Sequence, residues 1–407
     1  MKRFYKFLPL LTIFALPCVC YSATTLNGEY GALNITGDTV LTGETWATGN
    51  VTITGEGTMT GSDAFFTRDI MDLDTSEDAE IVLYAKANYT IDVPIYFSGF
   101  ATGGNLWYGL HVSNGKTLKI SNLNFAATYN SGRQGMQFLS DKTNDSSKFA
   151  QIYLAPDSDA TLNTQGSHEH WLRYVNIHAT TGVNYGDVHF QYGSHFTLET
   201  ENVSFRYIRV RQSYNSAKGP RSANADLRDY TTGKLFMNGY SVKINELNWN
   251  PSSGGASHQL AKPTDFYIDF GENNKAQYCY IGALSEHGVV NGNSWQNNWD
   301  FDRLFISNMG VNDMIVLGKD PFTSKVGDGT ANAYMIDVLS RILDINGDFV
   351  DGNVEYLTSI TKQLTADDTD DASLVGKWAI MIIPEPAEYA AMLGILVLGF
   401  VAYRRRK

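Results

Sequence analysis

Three histidines, at positions 168, 170 and 189, have the spacing closest to that of a transition-metal site in this sequence. His168 and His170 are two residues apart, so on a β-strand their side chains would lie on the same face. His189 follows about one unit later in the repetitive body described below. Imidazole nitrogens bind zinc or copper, so one interpretation of the trio is a metal site. We favour the other, a polar solvated sheet face, because no residues that would orient metal-bound rings can be identified.

The segment DINGDFVDGNVE, residues 344–355, places side-chain oxygens where a calcium loop needs them. The oxygen-bearing residues are Asp344, Asn346, Asp348 and Glu355. Such a loop also needs glycine at its sixth position for a sharp turn, and this segment has Phe349 there. We therefore favour a β-hairpin with acidic flanks and expect no cofactor.

A basic stretch, RYIRVRQSYNSAKGPR at 206–221, lies in an otherwise acidic body. Its first strand-like part carries Arg206, Tyr207, Arg209 and Arg211. Arg209 and Arg211 would share a strand face with Tyr207, and guanidinium groups bind carboxylates at two points. The stretch therefore predicts contact with an anionic polysaccharide. Two alternatives remain: the base of a lyase, or surface arginines that pair with Asp226 and Asp229.

Two tryptophans, Trp295 and Trp299, lie among amide side chains in NSWQNNWDFD. Aromatic planes beside amides suit sugar stacking, so both residues are candidate polysaccharide contacts. Packing in the core is the interpretation that we favour. Glycoside hydrolysis needs two carboxylates at a set distance, which the sequence alone does not pair, and no catalytic residue is assigned.

Composition favours an all-β chain and excludes two classes of partner. Only 18% of the residues are charged, and Gly, Tyr, Asn and Thr are abundant, as in strands joined by tight turns. The formal net charge is −12, and the body is more acidic still because both ends of the chain are basic. Such a body would repel nucleic acid and anionic lipid. Of three cysteines only Cys279 remains after export, so no intramolecular disulfide is expected.

Residues 31–66 contain a six-residue repeat, GALNIT GDTVLT GETWAT GNVTIT GEGTMT GSDAFF. Each unit begins with glycine and has an apolar residue in its fifth place. Those apolar residues are Ile35, Leu41, Ala47, Ile53, Met59 and Phe65. A period of six, with one turn glycine and one inward apolar residue, predicts the side of a β-solenoid.

A longer repeat recurs four times without gaps. The copies are TLKISNLNF (117–125), TLETENVSF (197–205), SVKINELNW (241–249) and RLFISNMGV (303–311). One shared apolar place holds Leu118, Leu198, Val242 and Leu304, and another place holds Asn122, Asn202, Glu246 and Asn308. The copies are separated by near multiples of about 20 to 22 residues, which fits one turn of a parallel β-helix. We therefore predict an all-β fold with a parallel β-helix over 24–311 and an asparagine stack at one corner. A β-sandwich is the alternative.

The phrase NGKTL at 114–118 resembles phrases in secreted bacterial proteins of the autotransporter-passenger and lyase-type β-helix classes. This resemblance implies the same solenoid body. It also gives the alternative function, a secreted carbohydrate-active enzyme such as a polysaccharide lyase or glycoside hydrolase.

Residues 312–364 predict a small mixed region in place of further repeats. AYMIDVLSRIL (333–343) has helical spacing, and DFVDGNVEYL (348–357) predicts two strands joined at Asp351-Gly352. Residues 365–383 begin with TADDTDDAS, an acidic composition that predicts a solvated linker without structure.

The first 23 residues have the layout of a secretory signal peptide. Lys2, Arg3 and Lys6 precede the apolar run FLPLLTIFALPCVC, and YSA offers small residues for cleavage near Ser22 or Ala23. Export through the secretion translocon is therefore expected.

The segment 384–407 combines three elements. The helix-breaking residues Pro384, Glu385 and Pro386 come first, then the uncharged run 389–403, and finally Arg404, Arg405, Arg406 and Lys407. The run predicts a short transmembrane helix, because about 20 apolar residues span a bilayer and shorter spans rely on snorkelling charges. The basic end would stay in the cytoplasm and hold the body outside.

This combination resembles the PEP-CTERM sorting signal of bacteria that make exopolysaccharide. The resemblance implies an exosortase, a membrane cysteine transpeptidase, as the partner that recognises the motif and removes the tail. The expected location is the membrane first and then the cell surface or extracellular matrix. Since no catalytic set of residues is evident, the expected function is a non-enzymatic structural or interaction role, with exopolysaccharide as a contact.

Overall fold

The computed structural model of the protein describes most of the body and little of either end. The described residues are 23–70, 80–101, 106–125, 128–129, 134–143, 145–157, 168–211, 233–250, 265–272, 275–286, 303–326, 333–382 and 404. Strands, numbered along the chain, form three main sheets.

Sheet 1 has fifteen strands. They are β1 (Thr24–Tyr30), β3 (Thr39–Ala47), β5 (Gly57–Gly61), β6 (Phe65–Ile70), β8 (Tyr89–Ala101), β10 (Thr117–Phe125), β11 (Thr128–Tyr129), β13 (Ala150–Pro156), β15 (Val175–Ala179), β17 (His195–Leu198), β20 (Gly233–Phe236), β23 (Asp265–Asp269), β26 (Arg303–Ser307), β30 (Leu343–Ile345) and β31 (Asp348–Phe349).

Sheet 2 has ten strands and sheet 3 has six. Sheet 2 contains β2 (Leu33–Ile35), β4 (Val51–Ile53), β7 (Glu80–Ala85), β9 (Leu106–Val112), β12 (Gln134–Leu139), β14 (His168–Arg173), β16 (Asp187–Gln191), β19 (Tyr207–Arg211), β22 (Leu247–Asn250) and β25 (Leu284–Glu286). Sheet 3 contains β18 (Ser204–Phe205), β21 (Val242–Ile244), β24 (Tyr278–Ile281), β27 (Met314–Leu317), β32 (Thr361–Gln363) and β33 (Trp378–Met381). The remaining elements are β28 (Lys325–Val326), β29 (Ala333–Tyr334), a 3₁₀ helix (Ser146–Lys148), α1 (Met335–Ile342) and α2 (Val354–Ser359).

The order of strands follows the chain along each sheet, except at the end of sheet 3, where β33 lies between β27 and β32. From β17 to β27 the chain visits sheets 1, 3 and 2 in a fixed cycle, and each strand pairs in parallel with the strand that the next cycle adds to its sheet. Among the described residues, antiparallel pairing occurs only between β30 and β31, β28 and β29, and β33 and its two neighbours. The fold is therefore all-β with mostly parallel sheets. It is consistent with the predicted parallel β-helix and unlike the antiparallel sheets of a β-sandwich.

The predicted inward aliphatic residues form the core. All are at most 4% exposed: Ile35, Leu41, Ile53, Leu118, Leu198, Val242 and Leu304. The remaining fifth-place residues of the six-residue repeat, Ala47, Met59 and Phe65, are also buried. Each buried aliphatic side chain contributes about 1.5 to 3 kcal/mol relative to its exposed state.

Two glycines of the six-residue repeat, Gly49 and Gly55, serve close packing between successive passes of the chain. A Cβ atom at Gly55 would lie 1.7 Å from the carbonyl oxygen of Thr36, and one at Gly49 would lie 2.8 Å from the backbone nitrogen of Ala32. Neither glycine adopts the left-handed backbone that the turn interpretation assumed. Glycine is therefore needed at these two positions because a Cβ atom would clash with the preceding pass of the chain.

The four copies of the longer repeat are not equivalent in space. Leu118, Leu198 and Leu304 lie in sheet 1, whereas Val242 lies in sheet 3. The unit of about 20 to 22 residues is also wrong for much of the chain. Ile177 pairs with Phe196, but Phe196 pairs with Leu235, so neighbouring passes differ about twofold in length. The shared pattern marks a strand with an inward face and does not mark one place in the fold.

A single asparagine stack at one corner is not formed. Asn202 and Asn308 do adopt left-handed backbone, with φ of 64° and 56°, which agrees with their predicted turn role. Asn122 lies within β10, and Glu246 lies between β21 and β22, which belong to sheets 3 and 2. The Asn308 side chain donates to Asp269 Oδ1 at 2.7 Å.

The region after residue 311 differs from the predicted one in two places. The helix predicted within 333–343 is present as α1, but β27 still pairs in parallel with β24, so the repetitive body continues past 311. The chain reverses at Asn346-Gly347, where β30 and β31 form a hairpin. The second strand expected after Asp351-Gly352 is instead helix α2, whose N-cap is Asn353.

The acidic linker predicted at 365–383 is folded over its described part. Leu364 and Leu374 are buried, and Thr365 donates to Asp368 through both its backbone nitrogen and its hydroxyl. Strand β33 then pairs with both β27 and β32. Apolar anchors on both sides of the acidic run therefore hold this segment on sheet 3.

Both ends of the chain lie largely outside the described residues. The residues outside the description include the predicted signal peptide up to residue 22, the motif Pro384-Glu385-Pro386, the run 389–403, and the basic residues after Arg404. Arg404 itself is exposed. In the described part of the chain, no helix is long and apolar enough to cross a membrane.

Candidate functional site

The outer face of sheet 2 carries a row of polar and aromatic side chains. Six adjacent strands place Gln137, Trp171, His189, Arg209, Asn248 and Ser285 in register, and we call these residues the outer row. The residues just before them in sequence are buried among the core, which fixes the direction of the outer row by strand alternation. Within the outer row, His189 and Asn248 are at most 1% exposed. Such burial is unusual for polar side chains on an outer face.

A chain of hydrogen bonds links Asn248 and Ser285, at one end of the outer row, to the nearby side chains of Glu246 and Tyr207. Tyr207 donates its hydroxyl proton to Glu246 Oε1 at 2.6 Å, and the Ser285 hydroxyl donates to the same oxygen. Asn248 Nδ2 donates to Ser285 Oγ at 2.6 Å. Because a carboxylate can only accept, the Ser285 proton is committed to Glu246, and Ser285 must accept from the Asn248 amide. The orientation of the Asn248 amide is therefore determined.

Arg209 lies against Tyr207 in the middle of this cluster. Its guanidinium carbon is 4.9 Å from the centre of the Tyr207 ring, a cation–π contact. Burial raises the pKa of the Tyr207 phenol, and the hydrogen bond to Glu246 raises it further. Tyr207 is therefore held as a neutral hydrogen-bond donor at neutral pH, which makes it a poor proton acceptor.

The predicted basic patch is only partly assembled. Arg206 forms an ion pair with Asp187 and is thereby neutralised, while Tyr207 and Arg209 lie together as predicted. The backbone of Arg211 ends strand β19. The alternative partners Asp226 and Asp229 lie outside the described residues, as do Trp295 and Trp299.

His170 and His189, two of the three histidines considered as a metal site, do not share a sheet face, and both are buried, unlike the solvated face that we favoured from the sequence. His170 pairs in register with Val188 and contacts Phe138, whereas His189 pairs with Trp171 and stacks on its ring. Neighbouring register positions point to opposite faces, so His170 faces the core and His189 faces outward. The backbone of His168 begins strand β14. Among the described residues, no group of three potential metal ligands is found.

The segment considered as a calcium loop is a hairpin followed by a helix. Asp344 Oδ1 accepts from the backbone of Gly347 at 2.8 Å, and Asn346 exchanges two hydrogen bonds with the backbone of Met309. Asp348 is exposed on the second strand of the hairpin, and Glu355 lies in the first turn of α2. Two of the four oxygen-bearing side chains are thus committed to backbone groups, and the set does not converge.

A second polar cluster lies on the outer face of sheet 1. His178 Nδ1 is 2.6 Å from Glu199 Oε1, and its Nε2 is 2.8 Å from Gln151 Oε1. The next strand carries His195 directly opposite Lys234. Burial lowers the pKa of His195 to about 4, and the Lys234 charge contributes to that decrease. Residue spacing gave no signal for either group, because both depend on pairing between distant strands.

Six residues of the outer row and its neighbours were not singled out as binding residues from the sequence: Gln137, Trp171, Asp187, Glu246, Asn248 and Ser285. The alternation in INELNWN offers a signal for two of them, because Glu246 and Asn248 flank the inward Leu247. A scan against protein-family models finds no match, and searches of curated proteins and of solved structures find no similar protein.

Proposed function

We propose that this protein is an exported cell-surface or extracellular-matrix protein with a structural or interaction role, and that it contacts exopolysaccharide. The body is proposed to be a parallel β-helix. The fixed cycle through three sheets with parallel pairing supports that fold. A solenoid of this kind provides long, regular outer faces, which suit an extended polymer.

Sorting is the second part of the proposal. The signal-peptide layout, the motif at 384–386, the apolar run and the basic end support export by the translocon and processing by an exosortase-type transpeptidase. The tail would hold the body outside the membrane until the transpeptidase releases it or attaches it elsewhere.

The observation that carries the polysaccharide contact is the site around Arg209. Arg209 and Tyr207, which are half-buried, place a cation and an aromatic ring side by side on an outer sheet face, and the buried amide of Asn248 is the cross-strand neighbour of Arg209. These are the group types that line carbohydrate sites. Tyr207 is committed to Glu246 as a donor, so the cluster is better suited to binding than to abstracting a proton.

The test has two measurements on the protein from its native host. Mass spectrometry of the body should give a C-terminal residue near the Pro384 motif and an N-terminus near Ala23. Co-sedimentation with the host exopolysaccharide should retain the body. A body that keeps its full tail would contradict the sorting proposal. Failure to co-sediment would contradict the contact, and release of unsaturated or reducing sugar ends would replace it with an enzymatic function.

A further inference from the structure

The folded body ends close to the proposed membrane tail. Strand β33 is paired on both sides, and Ile382, which follows it, still packs against the core. Only residues 383–388 separate Ile382 from the uncharged run that begins at residue 389. Even fully extended, this connection spans at most about 25 Å. While the proposed tail is in a membrane, the end of the body at which β33 finishes must therefore stay near the bilayer surface.

Two exposed residues lie beside the point where the chain leaves the body. On one side, Met381 pairs with Met314, and the turn just before Met314 carries Val311, which is 48% exposed. On the other side, the Met381 nitrogen donates to the Ile360 carbonyl oxygen at 3.0 Å. The Ile360 nitrogen in turn donates to the carbonyl oxygen of Tyr356, which is 43% exposed. Val311 and Tyr356 therefore flank the exit of the chain, and we call them the exit pair.

Exposed large hydrophobic side chains are few in the described part of the chain. They are Val311, Tyr334, Tyr356 and Val375. Val375 precedes the opposite end of β33, and Tyr334 lies on β29, which pairs with β28. The exit pair thus brings two of these four side chains to the place that the tail would keep near a bilayer. Tyrosine suits that place, because its apolar ring and polar hydroxyl match the boundary between acyl chains and water.

The charges at this end favour a zwitterionic lipid surface over an anionic one. The turn 310–313 and helix α2 contain two charged residues, Asp313 and Glu355, and both are acidic. Asp313 is buried and accepts from the backbone nitrogens of Gly310 and Gln277. Glu355 is exposed next to Tyr356. A negative membrane surface repels an exposed carboxylate, so anionic lipid should weaken a contact made through Tyr356.

We propose that this end of the body contacts a zwitterionic bilayer surface, with the exit pair in the headgroup region. This inference rests on the proposed membrane tail and adds the face of the body that meets the membrane. Two apolar side chains alone bind a bilayer weakly, because membrane affinity scales with the apolar area that is buried. The tail overcomes that weakness, since a tether of about 25 Å holds the exit pair at a high local concentration beside the lipid.

The experiment places the full-length chain, made without the transpeptidase, in phosphatidylcholine vesicles that contain a lipid with a nitroxide on its headgroup. Val311→Cys, Tyr356→Cys and Val375→Cys each carry a fluorophore, while Cys279 is buried and stays unlabelled. Val375 is the matched control, because it is a valine of similar exposure at the other end of β33. Quenching at 311 and 356 should exceed quenching at 375 by about threefold or more. Thermal unfolding of every variant shows that the fold is intact.

Two further measurements separate a contact from mere closeness to the tether. Adding Tyr356→Asp should reduce the quenching at position 311 by about half, because a charged side chain leaves the headgroup region and weakens the shared contact. Replacing half of the phosphatidylcholine with phosphatidylglycerol should also reduce quenching at both positions of the exit pair.

Vesicle flotation distinguishes failure of the inference from failure of the proposed tail. A chain that floats with the vesicles, but is quenched equally at 311, 356 and 375, would keep the tail and overturn the contact. Unchanged quenching at 311 in Tyr356→Asp would overturn it as well, because the tether alone would then explain the signal. Stronger quenching with phosphatidylglycerol would overturn the lipid preference. A chain that does not float would contradict the membrane tail itself.

Discussion

The guanidinium of Arg206 meets the carboxylate of Asp187 at two points, with Nε 2.6 Å from Oδ1 and Nη2 2.7 Å from Oδ2. Asp187 is buried, whereas about half of the Arg206 side chain is exposed. Arg206→Leu should therefore lower the free energy of unfolding by roughly 3 kcal/mol, because a buried carboxylate loses its partner. Urea denaturation measures the change. Asp187→Asn keeps the shape of the side chain and removes its charge, so it should lower the free energy of unfolding by less than Arg206→Leu does. Equal losses in the two variants would argue against a role based on charge.

Stability should fall between pH 6.5 and 4 through His195. Its pKa is lowered from 6.5 in the unfolded chain to about 4 in the fold, so the unfolded state binds the proton first as pH decreases. The part of the free energy of unfolding that depends on a neutral His195 is therefore fully present above pH 6.5, and it is lost as the pH falls toward 4. The free energy of unfolding at pH 7 and pH 4.5 should differ by about 2 kcal/mol more in the wild type than in His195→Asn. Identical pH dependence in the two proteins would show that His195 is not responsible.

Gly55→Ala should be far more damaging than Gly31→Ala, although both glycines open a unit of the same six-residue repeat. The new Cβ at position 55 would overlap the Thr36 carbonyl group, whereas none of the surrounding atoms lies within 4 Å at position 31. We expect a loss of about 3 kcal/mol or more at Gly55, and little change at Gly31. Denaturation midpoints of the two variants test this. Similar midpoints would mean that successive passes of the chain are packed less closely than described.

Leu198→Ala should lower the free energy of unfolding by about 2 to 5 kcal/mol, because Leu198 is fully buried in sheet 1. Leu198→Asp should prevent secretion of folded protein, since it places a charge among apolar side chains. Val311→Asp provides the comparison, because Val311 is 48% exposed, and it should be secreted normally. Normal secretion of Leu198→Asp would contradict the inward placement of this strand.

The sorting motif and the basic end should act at different steps. Replacing Pro384 and Pro386 with Ala should leave a full-length, membrane-bound protein, because the two prolines disfavour helix in the segment that the proposed transpeptidase would recognise, and alanine does not. Replacing Arg404, Arg405, Arg406 and Lys407 with neutral residues should let the tail pass through the membrane. Fractionation with antibodies to the tail and to the body distinguishes these outcomes. A wild-type body that always carries its tail would make residues 389–403 an ordinary anchor.

Inward residues were predictable because they depend on spacing within one strand. Ile35 and Ile53 follow from the six-residue period, and Leu198 from alternation within its copy of the longer repeat. Whether a strand belongs to sheet 1 or sheet 3 depends on the turn before it, and Val242 has the same local pattern as Leu304. Local pattern therefore identified the core residues and not their sheets.

The site was less predictable because it depends on register between strands far apart in sequence. The two-residue spacing of His168 and His170 fixes only their relation to each other. Whether His189 joins them depends on the length of the intervening turn, and that turn places it opposite Trp171. The pairing of Arg209 with Asn248 likewise requires a known register across a long connection. Strand β33 was also not predicted, because its short apolar run WAIM at 378–381 follows an acidic segment. The run forms a strand by pairing with the open edge of β27.

In the proposed export scheme, the late position of β33 has a consequence for how the chain folds as it emerges from the translocon. Most strands pair with a strand that has already emerged, so an exported chain can add each pass to a finished one. Strand β27 is different, because in that scheme one side of it would stay unpaired until Trp378, which follows both helices in the chain, had also crossed the membrane. An open strand edge of this kind invites pairing with other chains. In the proposed sorting scheme the tail would tether each molecule at the membrane during that interval, and cleavage at Pro384 would release it only once the edge is closed.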